Sequence, residues 1–333
     1  MIYIVIQNYN GKKHLEVCFD SLRNQSYTDF KILLVDNGSN DGSVEFIYNN
    51  YPEVDVISLD RNYGFAYATN CGIRRAMDKF SCEYILLLNN DIECDKYFLE
   101  NILSGFTNVN IGSTTCKMKN YYKRDSFDTT GDYFDFYSYP FKRGSGEKDV
   151  NQYDTRGYVF GGCGGATVYK TDVFRKIGLL DESFFAYYED IDLNYRMQLA
   201  GYKCLYIPES VCYHKCGATI KNSHKLKFYL MERNLTFLQI KNHDVKLIFK
   251  YSIISFFIRY WNYLRFIKRL EFTFMIYSVF GFWAGILSSF KYINDRKKIR
   301  RFTVKSNEYI VNIAMDFKCS YKEFEKYKNF ENE

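Results

Sequence analysis

Short apolar runs alternate with polar, helix-length stretches in the N-terminal part of the chain. The runs cover residues 2–6, 32–35, 54–59 and 84–88. Buried strands of a parallel sheet have this continuous apolar character. The stretches between the runs predict helices over residues 11–23, 42–50 and 67–80. The pattern therefore predicts an α/β fold with a mostly parallel, Rossmann-like sheet.

A polar cluster follows each of these apolar runs. The clusters are Asn8-Tyr9-Asn10-Gly11, Asp36-Asn37-Gly38-Ser39, Arg61-Asn62-Tyr63-Gly64 and Asn89-Asn90-Asp91. Ordinary turn chemistry would explain any one of them. Four clusters at the carboxyl ends of parallel strands instead predict one crevice, because open α/β sheets bind their ligands at that edge.

Acidic residues in two places suit the transfer of a group from a phosphate. Asp91 comes directly after a strand, and a carboxylate there can hold Mg²⁺ or Mn²⁺ against substrate phosphates. Asp190 follows an aromatic segment, and we expect it to take a proton from an attacking hydroxyl while Glu189 helps to hold the acceptor. The acidic first turn of a helix is an alternative explanation of this pair. Asp192 and Arg196, four residues apart, predict a structural ion pair.

Glycines and an irregular region lie between these acids. Residues 121–160 lack periodicity and predict an irregular insertion that flanks the crevice. The glycine-rich segment 161–165 permits tight turns or close backbone approach. No Lys-Ser or Lys-Thr follows it, which argues against a P-loop, and no Gly-x-Gly-x-x-Gly follows the first strand, which argues against a dinucleotide-binding oxidoreductase.

The composition predicts a globular protein in a reducing compartment. The 333 residues are 47% hydrophobic, enough for the core of one large or two modest domains. The ten cysteines lack a framework spacing, and the chain opens on a strand pattern where a signal peptide would stand, so we expect a cytoplasmic setting. Cys204, Cys212, His214 and Cys216 suggest an alternative, a zinc-stabilised binding module, although they include no Cys-x-x-Cys pair.

The positive charge is concentrated near the C-terminus. The net charge is +6, but residues 241–301 hold 13 Lys and Arg against three Asp and Glu. Aromatic and aliphatic residues fill 245–290, and residues 272–290 carry no charge. This combination predicts a helical region, 241–333, that lies on the anionic inner face of the cell membrane. A solvated basic subdomain and a true membrane span are alternatives. We do not expect nucleic acid as a partner, because no recognition fold accompanies the charge.

Five segments, in order, make the chain resemble the family 2 glycosyltransferases, in their rhamnosyltransferase-like branch, over nearly its whole length. They are Asn8–Gly11, Val35–Ser43, Asn62–Ala66 with Asn70–Gly72, Leu88–Asp91, and Gly178–Phe185 running into Glu189-Asp190. The resemblance implies a GT-A fold, with a nucleotide-sugar-binding half over residues 1–115 and an acceptor half over 116–240. It implies inverting, metal-dependent transfer from dTDP-rhamnose or a UDP-sugar to a glycan or lipid-linked glycan of a surface polysaccharide.

The resemblance also implies roles for single residues. It places Asp91 and His214 on the metal, Mn²⁺ or Mg²⁺, and Asp190 on the acceptor hydroxyl. The donor nucleotide is expected to contact Asn8, Tyr9, Asn10, Asp36, Asn37, Asn62, Gly64, Asn70 and Asn90. One departure is Asn89, which stands where the metal motif of the family often has Asp, and it lowers the charge at the metal. A non-catalytic scaffold with the same fold is the alternative function, but the presence of both Asp91 and Asp190 argues against it.

Overall fold

The computed structural model describes residues 1–79, 82–134, 139–215 and 224–313. The strands are β1 (Ile2–Asn8), β2 (Phe30–Asp36), β3 (Asp55–Ser58), β4 (Tyr84–Asn89), β5 (Ile92–Cys94), β6 (Ile111–Asn120), β7 (Phe127–Thr129), β8 (Asp132–Phe134), β9 (Pro140–Lys142), β10 (Gly157–Val159), β11 (Ala166–Lys170) and β12 (Lys203–His214). The helices are α1 (Lys12–Arg23), α2 (Ser43–Asn50), α3 (Phe65–Lys79), α4 (Phe98–Leu103), α5 (Thr171–Ile177), α6 (Glu189–Leu199), α7 (His224–Asn242), α8 (Val245–Lys268), α9 (Phe272–Ser288), α10 (Tyr292–Phe302) and α11 (Asn307–Ile313). Short 3-10 helices cover Glu182–Phe184 and Ser289–Lys291.

One central sheet carries the fold, with the strand order β10-β12-β6-β11-β4-β1-β2-β3. β1 pairs in parallel with β2 and β4, and β2 pairs in parallel with β3, which confirms the parallel sheet predicted from the N-terminal apolar runs. β11 enters antiparallel between β4 and β6. Asn8 lies opposite Asp36, and Gln7 lies opposite Asn89, so the polar strand ends meet at one edge as expected.

The sheet separates two apolar layers. Ile4 and Leu86 face one layer, where they pack with Phe19 of α1. Val5 and Leu87 face the other, together with residues of α3, α5 and α6. Successive residues of a strand point to opposite faces, so strands buried on both sides need continuous apolar runs. The fold is therefore α/β, as predicted.

The irregular insertion contains more structure than its sequence indicates. Within residues 121–160 the chain forms the short strands β7, β8, β9 and β10. β7 pairs with β6 and β10 with β12, so both extend the central sheet. The boundaries expected after residues 115 and 240 fall inside β6 and α7. The division of the chain into functional halves stays a prediction.

Helix α9 packs closely on α7 through small residues. Its buried positions are Ser278, Gly281 and Gly285. A Cβ atom on Gly281 would lie 2.3 Å from the carbonyl oxygen of Tyr229, so the two helix backbones approach more closely than any larger residue allows. The outward faces of α8 and α9 expose large apolar side chains: Val245, Phe249, Ile253, Phe256, Phe257, Tyr260, Trp261, Leu264, Ile267, Phe272, Ile276, Phe280, Trp283 and Leu287.

The proposed zinc ligands do not converge. Cys204 and Cys212 are eight residues apart on the extended strand β12, which separates them by about 25 Å. They also belong to different apolar layers, and the Cys212 sulfur lies 3.5 Å from the Cys116 sulfur. Cys216 lies outside the described residues. A zinc centre that includes both Cys204 and Cys212 is therefore wrong.

Candidate active site

Three predicted nucleotide ligands form a buried network at the ends of β1, β2 and β4. The Asn8 side-chain amide donates to Oδ1 of Asp36 at 2.8 Å, and the Asn90 amide donates to Oδ1 of Asn8 at 2.6 Å. The backbone N–H of Ser39 donates to the second Asp36 oxygen at 2.9 Å. These bonds fix the direction of the Asp36 carboxylate at the floor of the crevice.

A second group joins the ends of β2 and β3. The Asn37 amide donates to Oδ1 of Asn62 at 3.0 Å and to the carbonyl of Gly64 at 3.1 Å. Gly64 has a φ of +92°, and a Cβ atom there would lie 2.6 Å from the Phe185 carbonyl oxygen. Gly64 therefore brings this side of the crevice against the chain that leads to Glu189.

Tyr9 and Asn10 lie at the outer lip of the crevice. Asn10 is exposed and Tyr9 is half-buried. Asn10 has a φ of 50°, and its Oδ1 accepts a hydrogen bond from the backbone of Asn40 at 2.9 Å. Its own N–H donates to the Ser39 hydroxyl at 2.8 Å. The loops after β1 and β2 are thus held together where a base or ribose would enter.

Asn70 anchors residues 180–182 to α3. It lies on α3, and its amide donates to the Leu180 carbonyl at 2.8 Å and to Oε1 of Glu182 at 3.0 Å. Its oxygen accepts from the Leu180 N–H at 3.0 Å. A contact between Asn70 and the nucleotide stays a prediction.

Asp91 and His214 lie side by side at the end of β4, where β12 also ends. Nε2 of His214 is 3.2 Å from Oδ1 of Asp91, and both residues are buried. On the other side of the ring, Nδ1 is 2.8 Å from Oδ2 of Asp128. Lys142 in turn donates to Asp128 at 3.1 Å. Oxygen and imidazole donors this close can share one divalent cation, and Asp128 supplies the outer-shell partner that orients a metal-binding histidine.

The charges of Lys142 and His214 favour the ionised forms of Asp128 and Asp91. Burial alone would raise the pKa of Asp128, but the Lys142 ammonium and the hydrogen bond from His214 hold that pKa well below its usual range. Burial also opposes ionisation of Asp91, and His214 outweighs it, so the pKa of Asp91 is lowered. Sequence reasoning missed Asp128 and Lys142, since no apolar run or spacing marks them within the polar insertion.

Glu189 and Asp190 begin helix α6 and have different environments. Oδ2 of Asp190 accepts from the Gly164 N–H and Oδ1 from the Ile191 N–H, each at 2.8 Å. Burial, together with the neighbouring Asp190 charge, raises the pKa of Glu189 to about 8. Oε2 of Glu189 is buried and has no hydrogen-bond partner among the described residues. A pKa of about 8 leaves Glu189 protonated at neutral pH. Burial also raises the pKa of Asp190 above its ordinary value, although the N–H donors of Gly164 and Ile191 oppose that rise.

A third acid, which the sequence did not reveal, stands beside this pair. One ligand atom each of Asp132, Cys163 and Asp190 lie within 4.8 Å of one another. Asp132 is only 3% exposed, and burial together with the Asp190 charge raises its pKa well above the ordinary value. The glycine-rich segment explains how this approach is achieved, because a Cβ on Gly164 would already lie 3.0 Å from the Cβ of Asp190.

Comparisons with known proteins agree with this architecture. Residues 3–178, more than half of the chain, match the family described as "Glycosyl transferase family 2". The chain is 22% identical over 240 residues to the N-acetylglucosaminyl-diphospho-decaprenol L-rhamnosyltransferase of Mycobacterium tuberculosis, which covers 65% of this chain and 76% of the relative. It is 26% identical over 256 residues to the dTDP-rhamnosyl transferase RfbF of Shigella flexneri, covering 73% and 81%.

The fold agrees with solved structures as well. The crystal structure of GalNAc-T7 with UDP, GalNAc and Mn²⁺ superimposes with a TM-score of 0.58 at 15% identity, over 72% of this chain. The chain spans about half (48%) of the length of that structure. This similarity shows the GT-A fold, and the family match adds the activity. The chain belongs to glycosyltransferase family 2, as the resemblance of its five motifs predicts; it is a glycosyltransferase that uses a nucleotide-sugar donor, and its similar relatives include rhamnosyltransferases.

Proposed function

We propose that this enzyme is an inverting, metal-dependent glycosyltransferase. It moves a sugar from dTDP-rhamnose or a UDP-sugar to a lipid-linked acceptor of a surface polysaccharide, at the inner face of the cell membrane. The observation that carries the proposal is the glycine-rich segment, which bonds to both acidic groups. The Gly165 carbonyl accepts from the N–H of Asn89, two residues before Asp91, at 2.8 Å, and the Gly164 N–H donates to Asp190 at 2.8 Å. These contacts support one crevice for the metal ligands and the base.

The side chains of Asp91 and His214 fit a divalent cation. Asp91 and His214 would hold Mn²⁺ or Mg²⁺ together with oxygens of the donor diphosphate. Asn89 lies next to this pair but is neutral, so the protein supplies one carboxylate here. When bound, the cation would neutralise charge that develops on the leaving nucleoside diphosphate.

The acids at the start of α6, Glu189 and Asp190, fit proton transfer. The acceptor oxygen would form a bond to the anomeric carbon as the bond from that carbon to the diphosphate oxygen breaks. Asp190 would take the proton of the acceptor hydroxyl, and a single displacement inverts the configuration. Glu189, protonated at neutral pH, would donate a hydrogen bond to another acceptor oxygen from its buried, unpartnered carboxyl group.

The buried network at the strand ends supports a nucleotide site. The Asp36 carboxylate is fixed by Asn8 and Ser39, and such an acceptor suits a base N–H or a ribose hydroxyl. Tyr9 at the lip would contact the base, and Asn10, Asn37, Asn62 and Asn90 would surround the ribose and the diphosphate. Gly64 allows the chain that leads to the acids to approach this site closely.

Thermal stability tests this proposal directly. The purified protein is heated with dTDP-rhamnose, UDP-galactose, UDP-N-acetylglucosamine and GDP-mannose, each with and without Mn²⁺. A donor at one hundred times its dissociation constant stabilises the folded state by about 2.7 kcal/mol. We expect a Mn²⁺-dependent rise in Tm with one dTDP- or UDP-linked sugar. For Asp91→Asn, we expect that the same donor and Mn²⁺ leave the Tm of the variant unchanged. A chain that binds a donor with Mn²⁺ but transfers no sugar to any lipid-linked acceptor would be a scaffold, and the proposal would fail.

The C-terminal helices support the membrane part of the proposal. Trp261 of α8 is 63% exposed and Trp283 of α9 is 56% exposed, within a continuous set of exposed apolar side chains. By length and composition, the helical segment Phe272–Phe302, which begins with α9 and ends with α10, could cross a membrane, and 17% of its most apolar window is buried. The basic residues of α10 follow the apolar residues of α9. This order suits a membrane contact in which the apolar faces of α8 and α9 enter one leaflet and the cations of α10 meet anionic headgroups.

Vesicle binding tests this part separately. Charge reversal of Lys297, Lys298, Arg300 and Arg301 to Glu should release the protein from vesicles that contain anionic lipid, measured by flotation. The matched control reverses four exposed lysines elsewhere, Lys31, Lys96, Lys123 and Lys148, with the same change in net charge. We expect the control to remain bound. Equal release of both variants, or binding unchanged by the α10 reversals, would contradict a docking surface at α8–α10.

A further inference from the structure

The turn that leads into Glu189 and Asp190 has an unusual backbone. Phe185, Tyr187 and Tyr188 have φ values of 66°, 71° and 70°. Side chains with a Cβ disfavour this left-handed region, and such residues persist only where the surroundings fix them. Tyr188 is also the residue that caps helix α6, so its conformation sets the direction in which Glu189 and Asp190 leave the turn.

Helix α7 supplies the groups that fix this turn. Asn234 is fully buried, and its side-chain amide lies within hydrogen-bond distance of three carbonyl oxygens: Phe184 at 2.9 Å, Ala186 at 2.8 Å and Tyr187 at 2.8 Å. An amide has two hydrogens, so one of them is shared between two acceptors. One side chain therefore donates to three of the four backbone carbonyls of residues 184–187.

Arg233 adds to the same contact. Its Nη2 donates to the Ser183 carbonyl at 3.1 Å and to the Phe184 carbonyl at 2.8 Å. On the opposite side, the Phe185 carbonyl accepts from the Ala66 N–H at 3.2 Å, beside Gly64. The turn is therefore held between the start of α3, on the donor side, and α7 of the C-terminal region.

We propose that Asn234, assisted by Arg233, is a positioning residue of the transfer reaction: it holds the left-handed turn 184–188 in the one conformation that places Glu189 and Asp190 in the crevice. This inference rests on the proposed function of those two acids. Asn234 is a positioning residue and not a catalytic one, since its amide donates to the turn and its oxygen accepts from Nε of Arg233 at 3.0 Å.

The positions of the acids depend on the turn because the turn fixes where α6 begins. The Tyr188 carbonyl accepts from the Asp192 N–H at 2.9 Å in the first turn of that helix. A shift of this turn would break the 2.8 Å bond from the Gly164 N–H to Asp190. If the three carbonyls lose their donor, the turn can relax toward ordinary φ values. A displacement of about 1 Å at a reacting group costs about 100-fold in rate.

Steady-state kinetics of the full-length enzyme with its donor, Mn²⁺ and lipid-linked acceptor test this role. For Asn234→Ala and Asn234→Asp we expect kcat to fall by about 100-fold. The donor KM and the Mn²⁺-dependent rise in Tm should remain close to those of the wild type, because Asn8, Asp36 and Asn90 are held by bonds to one another and to Ser39. A loss of fold alone would lower the amount of active enzyme and the donor-dependent stabilisation together.

Asn242→Ala is the matched control. Asn242 lies on the same helix, is also buried, and donates to Oδ1 of Asp192 rather than to the turn. Asp192 keeps Arg196 and Lys241 as partners, so the variant should lose stability but retain kcat. If Asn234→Ala does not fold, Arg233→Lys and Arg233→Met decide: lysine keeps a donor for the two carbonyls, methionine does not, and kcat should fall only for methionine.

The two proposals fail in different ways. If the wild-type enzyme transfers no sugar from any donor, the proposed function is wrong. If it is active and Asn234→Ala retains its kcat, or Asn234→Ala and Asn242→Ala lose kcat equally, Asn234 has no positioning role. An equal kcat for Arg233→Lys and Arg233→Met would overturn the contribution of Arg233.

Discussion

Nδ1 of His214 lies 2.8 Å from Oδ2 of Asp128, so the opposite ring nitrogen faces Asp91. Loss of the negative charge at Asp128 should allow the imidazole ring to rotate. It should also make Nε2 less basic, and therefore a weaker ligand for the metal. We expect Asp128→Asn to weaken Mn²⁺ binding by about 10- to 100-fold, the usual effect of removing such a partner. Calorimetric titration of Mn²⁺ in the presence of UDP or dTDP measures this.

Asp125→Asn is the control for that experiment, because Asp125 is an exposed acid of the same segment. Its Mn²⁺ affinity should equal that of the wild type. Equal affinities of Asp128→Asn and the wild type would show that His214 does not bind the metal through Nε2.

Asp190→Asn should separate chemistry from binding. The amide keeps the size of the carboxylate but cannot accept the acceptor proton, so kcat should fall by about 1,000-fold, within the range of general-base catalysis. Donor binding with Mn²⁺, followed by the rise in Tm, should be unaffected. Asp172→Asn, an exposed acid on α5, should retain full activity. Undiminished transfer by Asp190→Asn would reject the assignment of the base.

Glu189 should make stability depend on pH in a definite direction. Its pKa is raised by burial to about 8 in the folded protein, from 4.5 in the unfolded chain. Between these values the folded state binds more protons than the unfolded state, so the contribution of Glu189 to stability falls as pH rises from about 4.5 to about 8. Relative to the wild type, Glu189→Gln should gain about 4 kcal/mol in the free energy of unfolding between pH 5 and pH 8.5, measured by denaturant unfolding at both pH values.

Glu45→Gln, an exposed change on α2, provides the comparison, and its stability relative to the wild type should be the same at both pH values. A Glu189→Gln difference that does not change with pH would mean that Glu189 is ionised in the folded protein. It could then not donate a hydrogen bond to the acceptor.

Gly281 should be intolerant of a side chain. A methyl group at this position would lie 2.3 Å from the Tyr229 carbonyl oxygen, so Gly281→Ala must push α9 away from α7. We expect a loss of about 1–3 kcal/mol in the free energy of unfolding, as for overpacked interiors. Gly157→Ala is the control, because a Cβ there has no neighbour within 4 Å. Equal stabilities of the two variants would contradict the close α7–α9 contact.

The sequence predicts those parts of the site that follow regular elements. Asn8 and Asp36 end the buried strands β1 and β2, and Asp91 lies two residues after β4. Parallel pairing brings these strand ends to one edge of the sheet. Asn70 shows the limit of this reasoning. A motif indicates that a residue is near the site, but only the packing of α3 against residue 180 shows that its amide is already bonded.

Asp128, Asp132 and Asn234 were beyond sequence reasoning for physical reasons. The two aspartates lie in or beside strands of three residues, too short for a period to emerge, within a segment rich in polar side chains. Asn234 lies on α7, about fifty residues from the turn it holds, and no local pattern reports so distant a contact. The composition of residues 245–290 predicted an apolar surface on α8 and α9. The role of the small residues of α9 could not be predicted, because only the structure shows that they contact α7.

Helix α7 contacts two different parts of the protein, and this limits the construction of chimeras with relatives. One side bonds the turn before the acids, and the other receives Gly281 and Gly285 of α9. In a chimera of two relatives, a junction before α7 would pair a foreign amide with the native turn, and a junction after it would pair foreign glycines with the native helix. No junction near α7 leaves both contacts intact, so the catalytic part and the C-terminal helices are inherited and engineered as one unit.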